Sequence, residues 1–412
     1  MARTAEALTR HDVVDHLRVT DAAPSSGPLR VGVEQEWHTY RLSDPGRHLR
    51  PDEVLAAVEA GPSLPHGSLV TIEPGGQVEL ATLPFAPWTD ALVALRVDGA
   101  VLRESLAMAG IVVLGAGLDP FREPVRTLRK PRYDAMEAYF DRGGPAGRRM
   151  MAGSASIQVN VDNGAQPDCR WGLAHRIGPA LAAAFACSPY QHHRSGRLAL
   201  WNAIDRSRAG SALRGGSLAE DWPDYVLDAQ LMLLHDDADR CRVVDDPITF
   251  GEWLEQGIAG RRPDLQDLAY HCTTLFPPVR PRGWLELRWL DCLPAGLADT
   301  AVAAIVALLI DEEASDRAER AVAGLGDLWA EASEQGPAQP DLGAAATTLL
   351  QDAALALDRV PGAGLLAEAV ADAAERWPAR GRCPADDLEE RLRRGAGLVD
   401  LADPPVEVAR WH

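Results

Sequence analysis

Four short segments in the first 290 residues alternate apolar and polar side chains with a period of two. Successive side chains of a strand point to opposite faces, so residues at i and i+2 share one. In LRVGVEQEWHTY, Leu29, Val31, Val33 and Trp37 fall on one side, and Arg30, Glu34, Glu36 and His38 on the other. In VTIEPGGQVEL, Val70 and Ile72 lead into Glu73, Pro74-Gly75-Gly76 forms a turn, and Val78 and Leu80 alternate with Gln77 and Glu79. In ASIQVNVD, Ile157, Val159 and Val161 oppose Ser156, Gln158, Asn160 and Asp162. In GWLELRWLD, Leu285, Leu287 and Trp289 oppose Glu286 and Arg288.

Helical spacing is expected near 87–109, 170–187 and 221–235, and it takes over after CLPAGLADT. AVAAIVALLIDEEASDRAERAVAGL and GAAATTLLQDAALALDRV read as amphipathic helices, with breaks at 334–340 and 360–364 and a last helix within ADDLEERLRRG. Strands interleaved irregularly with helices predict an α+β fold with a mainly antiparallel sheet. No long linker divides the chain, so one domain over 1–412 is expected, with a sheet-rich core at about 28–295 and a helical part, 296–412, packed on it.

Composition narrows the chemistry. The net charge of −19 over 412 residues argues against a nucleic-acid-binding surface and against attraction to anionic membranes. No apolar run approaches the ~20 residues that span a bilayer, and MARTAEALTRHDVVDHL lacks the apolar core of a signal peptide, so a cytoplasmic protein is expected. The six cysteines form no C-x-x-C pair and read as reduced, mostly buried thiols. Lys130 is the single lysine, which excludes a P-loop and a lysine nucleophile anywhere else.

Each strand therefore has one face for a core and one bearing carboxylates, amides or guanidinium groups. A sheet with one solvated face would also read this way. Solvated faces, however, usually mix charge signs, whereas Glu34, Glu36, Glu73, Glu79 and Glu286 would repel one another as bare anions. Hard divalent cations take oxygen ligands and would neutralise them, and Mg²⁺ commonly keeps phosphate oxygens in its shell. A carboxylate-lined metal–phosphate site follows if the strands are neighbours. His192-His193 is expected in a loop, His38 in a hydrogen-bonding role near the polar face, and Trp201 in the core or at its rim.

VGVEQEW, TIEPGGQVEL, ASIQVNVD and FPPVRPRGWLELRWLD, in that order, resemble signature segments of the type-2 glutamate–cysteine ligases of plants and bacteria. RKPRYDAMEAYF, SPYQHHRSGRLALWNAIDRSRAG and YHCTTLFPPVR add to the resemblance, which covers roughly residues 30 to 295. It implies a glutamine-synthetase-like catalytic fold, a curved antiparallel sheet forming the active-site cleft under helices. It also implies ATP as co-substrate and about two or three Mg²⁺ ions, with Mn²⁺ as an alternative. The family's metal ligands fall on Glu34, Glu36, Glu73, Glu79 and Glu286, with Gln158 completing the shell. Arg288 and Glu79 carry the catalytic roles, Asn160, Arg280, Arg288 and Arg208 the substrate contacts, and Lys130 and Arg132 the nucleotide contacts. The implied reaction joins glutamate to cysteine through γ-glutamyl phosphate, by a monomer acting on small molecules alone. The Ala- and Arg-rich composition resembles that of high-GC actinobacteria, where such ligases open the ergothioneine pathway. A different amine substrate, or a catalytically silent relative, remains open at this point. No regulatory cysteine pair like that of the plant enzymes is recognisable.

Overall fold

The computed structural model describes residues 8–237 and 240–404. Nine strands are present among them: β1 (Val31–Arg41), β2 (Leu69–Ile72), β3 (Val78–Ala81), β4 (Ile111–Leu114), β5 (Ser156–Asp162), β6 (Leu233–Asp237), β7 (Arg240–Val243), β8 (Val279–Pro281) and β9 (Trp284–Asp291). Seven form one sheet in the order β2-β3-β1-β5-β9-β8, with β4 also pairing β1; β6 and β7 form a separate ribbon. Every strand pairing is antiparallel. The fold is α+β, as the alternating segments predict.

The register explains why the polar residues meet. β1 sits between β3 and β5, pairing Glu36 with Glu79 and Glu34 with Gln158. β5 in turn pairs Asn160 with Glu286 on β9. A bulge between Ile157 and Val159 sets one β5 residue against two on β9, Arg288 and Trp289. Bulges re-aim side chains, and here Gln158 and Arg288 end on the same face, in hydrogen-bond contact. The other face carries Val31, Val33, Trp37, Val78, Leu80, Ile157, Val159, Val161, Leu285 and Leu287, all buried.

That apolar face is closed by the helices Thr89–Met108 and Leu297–Ile310. The second is apolar almost all round, with every residue from Ala298 to Leu309 buried. A helix of this kind belongs inside a core, and the helices Glu312–Ala321, Pro340–Asp358 and Gly364–Arg376 pack around it. One apolar core runs without interruption from Val13 to Leu401. A second cluster, including Met136, Phe140, Met150, Leu200 and Met232, lies under helices Pro131–Phe140 and Ala146–Gly153.

Two helical expectations need correction. The stretch 221–235 is helical only to Asp228, at the end of Leu218–Asp228, and then becomes β6. Its Leu-rich end reads equally as helix or strand, and pairing with β7 decides it. The stretch 170–187 is two helices, Pro167–Arg176 and Gly178–Ala184, separated at Ile177 ahead of Gly178-Pro179. No described helix is long and apolar enough to cross a membrane. Cys187, Cys292 and Cys383 are buried, Cys169 is exposed, and all six cysteines are unpaired.

Candidate active site

The β2–β3 hairpin is built tightly. Glu73 and Gln77 close it through a backbone hydrogen bond of 2.9 Å. Gly76 takes a φ of +88°, a conformation that side-chain-bearing residues rarely adopt. A Cβ on Gly75 would stand 2.0 Å from the Ala152 carbonyl oxygen, so glycine is required there by close packing. The turn places Glu73 beside Glu79 and Glu36, whose charges bear directly on it.

Four carboxylates gather on the polar face with too little positive charge around them. Burial, followed by the charges of Glu286 and Glu79, pushes Glu34 up to about 7. Burial and the charge of Glu36 push Glu79 up to about 7, against a 2.7 Å hydrogen bond from Thr71 Oγ1. Burial raises Glu73 well above the ordinary range, assisted by Glu36 and Glu79. Burial also raises Glu36, although the Ser156 amide donates to it at 2.7 Å and Arg197 opposes the shift. Buried like charges of this kind call for a cation. Glu34, Glu36, Glu73 and Glu79 thus fit a divalent metal by their oxygen chemistry and their unrelieved repulsion. Among the described residues, no three acidic, histidine or cysteine side chains converge closely enough to hold an ion by themselves.

Glu286, expected as a metal ligand, is held by arginines. Arg280 grips its carboxylate with bonds of 2.5 and 3.0 Å, while Arg288 and Arg282 approach to 3.2 and 3.6 Å. Burial would raise its pKa, but Arg280 and Arg288 outweigh it and hold the group at about 2. Glu286 is the anchor of an arginine cluster. Arg280, expected to bind substrate, is correspondingly taken up by Glu286 and the Leu275 carbonyl. Gln158 accepts from Arg288 Nη1 at 2.5 Å and faces Glu36, and Asn160 donates to Glu34 at 3.1 Å.

Arg208 is not brought to the cleft. It is wholly buried, donating to Asp205, the Thr274 and Gln230 carbonyls and Tyr139, which ties separate segments together. Arg132 donates twice to Thr273 and lies 5.0 Å from the Tyr270 ring centre. Lys130 stands at the N-terminal end of the same helix and is exposed. Both stand near the hairpin, because Thr127 and Leu128 donate to the Pro74 carbonyl and Tyr133 feels the charges of Glu73 and Glu79. His38 is buried with its pKa pushed down to about 4 by burial, and its Nε2 has no hydrogen-bond partner. His192 and His193 lie in a loop, and Trp201 is half-buried.

Sequence reasoning missed Arg197. It is 2% exposed, its Nη2 donates to the Arg288 carbonyl at 2.9 Å, and its Nε and Nη1 have no hydrogen-bond partner. It feels the charges of Asp291 and Glu36, and shares a small cavity with Arg288, Trp201, Asn202 and Phe276. Asp291 at the end of β9 fixes the loop that leads into the Arg197 helix, accepting from Cys187 N and from the Ser188 and Ser195 hydroxyls. The run SPYQHHRSGR held the signal: an arginine one residue into an apolar helix, where nothing local accounts for its charge.

A sheet face that sets half-buried, mutually repelling carboxylates beside Arg288 and the partly unpartnered Arg197 is suited to handling anions and cations together. Residues 30–397 match the glutamate-cysteine ligase family 2 (GCS2), and the chain belongs to this family of carbon–nitrogen ligases. It is 39% identical over 393 residues to "Glutamate--cysteine ligase EgtA" of Mycobacterium tuberculosis (strain ATCC 25618 / H37Rv), covering 92% of this chain and 89% of that protein. The Brassica juncea "Glutamate--cysteine ligase, chloroplastic" is 28% identical over 341 residues, 75% of this chain and 65% of that one. The crystal structure of a Francisella tularensis glutamate–cysteine ligase in complex with AMP shares the fold, with a TM-score of 0.57 at 13% identity over 90% of this chain and 86% of that one.

Proposed function

We propose that this chain joins the γ-carboxylate of L-glutamate to the amine of L-cysteine, converting ATP to ADP and phosphate. The observation that carries the reading is the set of half-buried, mutually repelling carboxylates Glu34, Glu36, Glu73 and Glu79 on one sheet face, with Arg288 on that face and Arg197 on the helix beside it. Membership of the glutamate–cysteine ligase family supplies the substrates.

A carboxylate is a poor electrophile and needs activation. A γ-carboxylate oxygen of glutamate attacks the γ-phosphorus of ATP, and ADP departs with the electron pair of the broken P–O bond. The cysteine amine then attacks the carbonyl carbon of γ-glutamyl phosphate, loses a proton and expels phosphate. Phosphoryl transfer needs positioning and charge neutralisation more than a covalent protein group. Bound Mg²⁺ supplies Lewis-acid neutralisation of phosphate oxygens. Glu34, Glu36, Glu73 and Glu79 would hold it, with phosphate and water oxygens completing a shell that the side chains leave open. About two or three ions belong to this reading, with Mn²⁺ able to replace Mg²⁺.

Arg288 is steadied by Glu286 and Gln158, so its guanidinium is positioned before substrate arrives. It offsets the negative charge that develops on the transferring group. Arg197 offers two free donors to a substrate carboxylate. Lys130 and Arg132 lend positive charge beside the hairpin. The whole chain is taken to act as one catalytic unit, a cytoplasmic monomer making γ-glutamylcysteine for ergothioneine synthesis.

Phosphate release from ATP and Mg²⁺ with glutamate, across a panel of amines, tests the reading. Release with cysteine is expected; release only with another amine would replace cysteine, and none with any amine would overturn the ligase.

A further inference from the structure

Asp299 lies in the first turn of the buried helix Leu297–Ile310, on the side of the sheet away from the acid cluster. It is 9% exposed, and burial pushes its carboxyl up to about 6 against the charges of Arg96 and Arg103. A helix N-terminus favours an acid, yet no backbone N–H donates to this one. Arg96, on the helix Thr89–Met108, is half-buried. Neither Asp299 nor Arg96 has a hydrogen bond or an ion pair with any described residue, although each feels the other's charge. Arg103, by contrast, donates Nε to the Pro404 carbonyl at 3.1 Å.

Between the two groups is a cavity of about 100 Å³. Leu95, Ala298 and Leu366 supply apolar walls, Gly296 at one end is exposed, and Gln35 at the other is 2% exposed. Gln35 donates to the Leu293 carbonyl at 2.9 Å and, by strand alternation, faces away from Glu34 and Glu36. The cavity therefore reaches from the surface to the back of β1. A buried carboxylate without a donor costs free energy until something claims it. A simple cation would be repelled by Arg96, and a simple anion by Asp299. A ligand carrying both charges satisfies both groups.

We propose that this cavity binds a small α-amino acid as its zwitterion, with the ammonium on Asp299 and the carboxylate on Arg96. Its volume admits a side chain of only a few heavy atoms, and Leu95 and Leu366 would pack against them. The site lies behind the strand that carries Glu34 and Glu36, apart from the catalytic face, and does not depend on the ligase reading.

Equilibrium dialysis of the whole protein against radiolabelled L-alanine tests it, with ethylamine and propionate as probes carrying one charge each. Alanine cannot present a γ-carboxylate to the catalytic face. The parent should bind alanine with a Kd below about 1 mM and bind the two single-charge probes more weakly. Asp299→Asn and Arg96→Gln should each weaken alanine by about ten- to a hundred-fold, the loss expected for hydrogen bonds to a charged group. Turnover of both variants with saturating substrates, expected near the parent's, controls for folding. Equal alanine binding in the parent and both variants would overturn the site, as would no binding by the parent up to about 10 mM. Ethylamine or propionate bound as tightly as alanine would overturn recognition of the zwitterion.

Discussion

Arg280 and Glu286 form a two-pronged ion pair, with bonds of 2.5 and 3.0 Å, on the face that also carries the repelling carboxylates. The face is thus divided into a neutralised half on β8 and β9 and a half on β1 and the hairpin whose charge is unmet. Substitutions should separate the two. Glu286→Gln strands Arg280 and Arg288 without their anion and should cost roughly 3–5 kcal/mol of stability, as breaking a buried pair does. Glu79→Gln removes repulsion, and should leave stability in metal-free buffer equal to or above the parent while turnover falls roughly a hundred-fold or more. Denaturant titration alongside turnover checks both. A destabilised Glu79→Gln, or near-parental turnover in it, would remove Glu79 from the site.

Arg197 is the second substitution of interest. Its Nε and Nη1 are buried without partners, a state that costs free energy unless a ligand claims them. Arg197→Met should raise the KM for glutamate about ten- to a hundred-fold, the range expected for lost hydrogen bonds to a charged group. The KM for ATP should move little. A matched rise in both would assign Arg197 to holding the sheet rather than the amino acid.

Strand alternation disclosed which side chains share a face, because that depends only on the extended backbone. Glu34, Glu36, Glu73, Glu79, Gln158, Asn160 and Arg288 were legible for that reason, and the antiparallel sheet with them. Alternation says nothing about who claims a guanidinium. Arg280 and Arg208 both sit in segments that resemble the family's, yet one is paired to Glu286 and the other buried among Asp205, Thr274, Gln230 and Tyr139. Arg197 lies on a helix reached by a loop, so its approach to Arg288 depends on Asp291 anchoring that loop from 96 residues away. Contacts of that range leave no local period to read.

His175 and His271, like His38, are buried histidines that weaken the fold in acid. His175 and His271 hydrogen-bond to the Trp171 and Val226 carbonyls, and burial pushes each down to about 3. The unfolded chain binds protons near pH 6.5 and the folded chain does not. Their contribution is therefore complete above about pH 6.5 and is lost as pH falls toward 3. Each histidine should subtract up to about 1.4 kcal/mol per pH unit below about 6.5. The proton uptake of Glu34 and Glu79, whose pKa values are raised, works in the opposite direction as pH falls below 7 in metal-free buffer. In denaturant titrations, His271→Gln should show a shallower acid slope than the parent. An unchanged slope would mean that His271 is protonated in the folded state.

The central claim is that glutamate is activated by phosphorylation in the cleft lined by Glu34, Glu36, Glu73, Glu79 and Arg288. Glutamate carrying ¹⁸O in its γ-carboxylate, incubated with enzyme, Mg²⁺, ATP and cysteine, tests it most directly through the mass of the phosphate released. One ¹⁸O atom in each phosphate, formed together with γ-glutamylcysteine, is the predicted result. Phosphate without label would show that the carboxylate never attacks ATP, and would contradict the account.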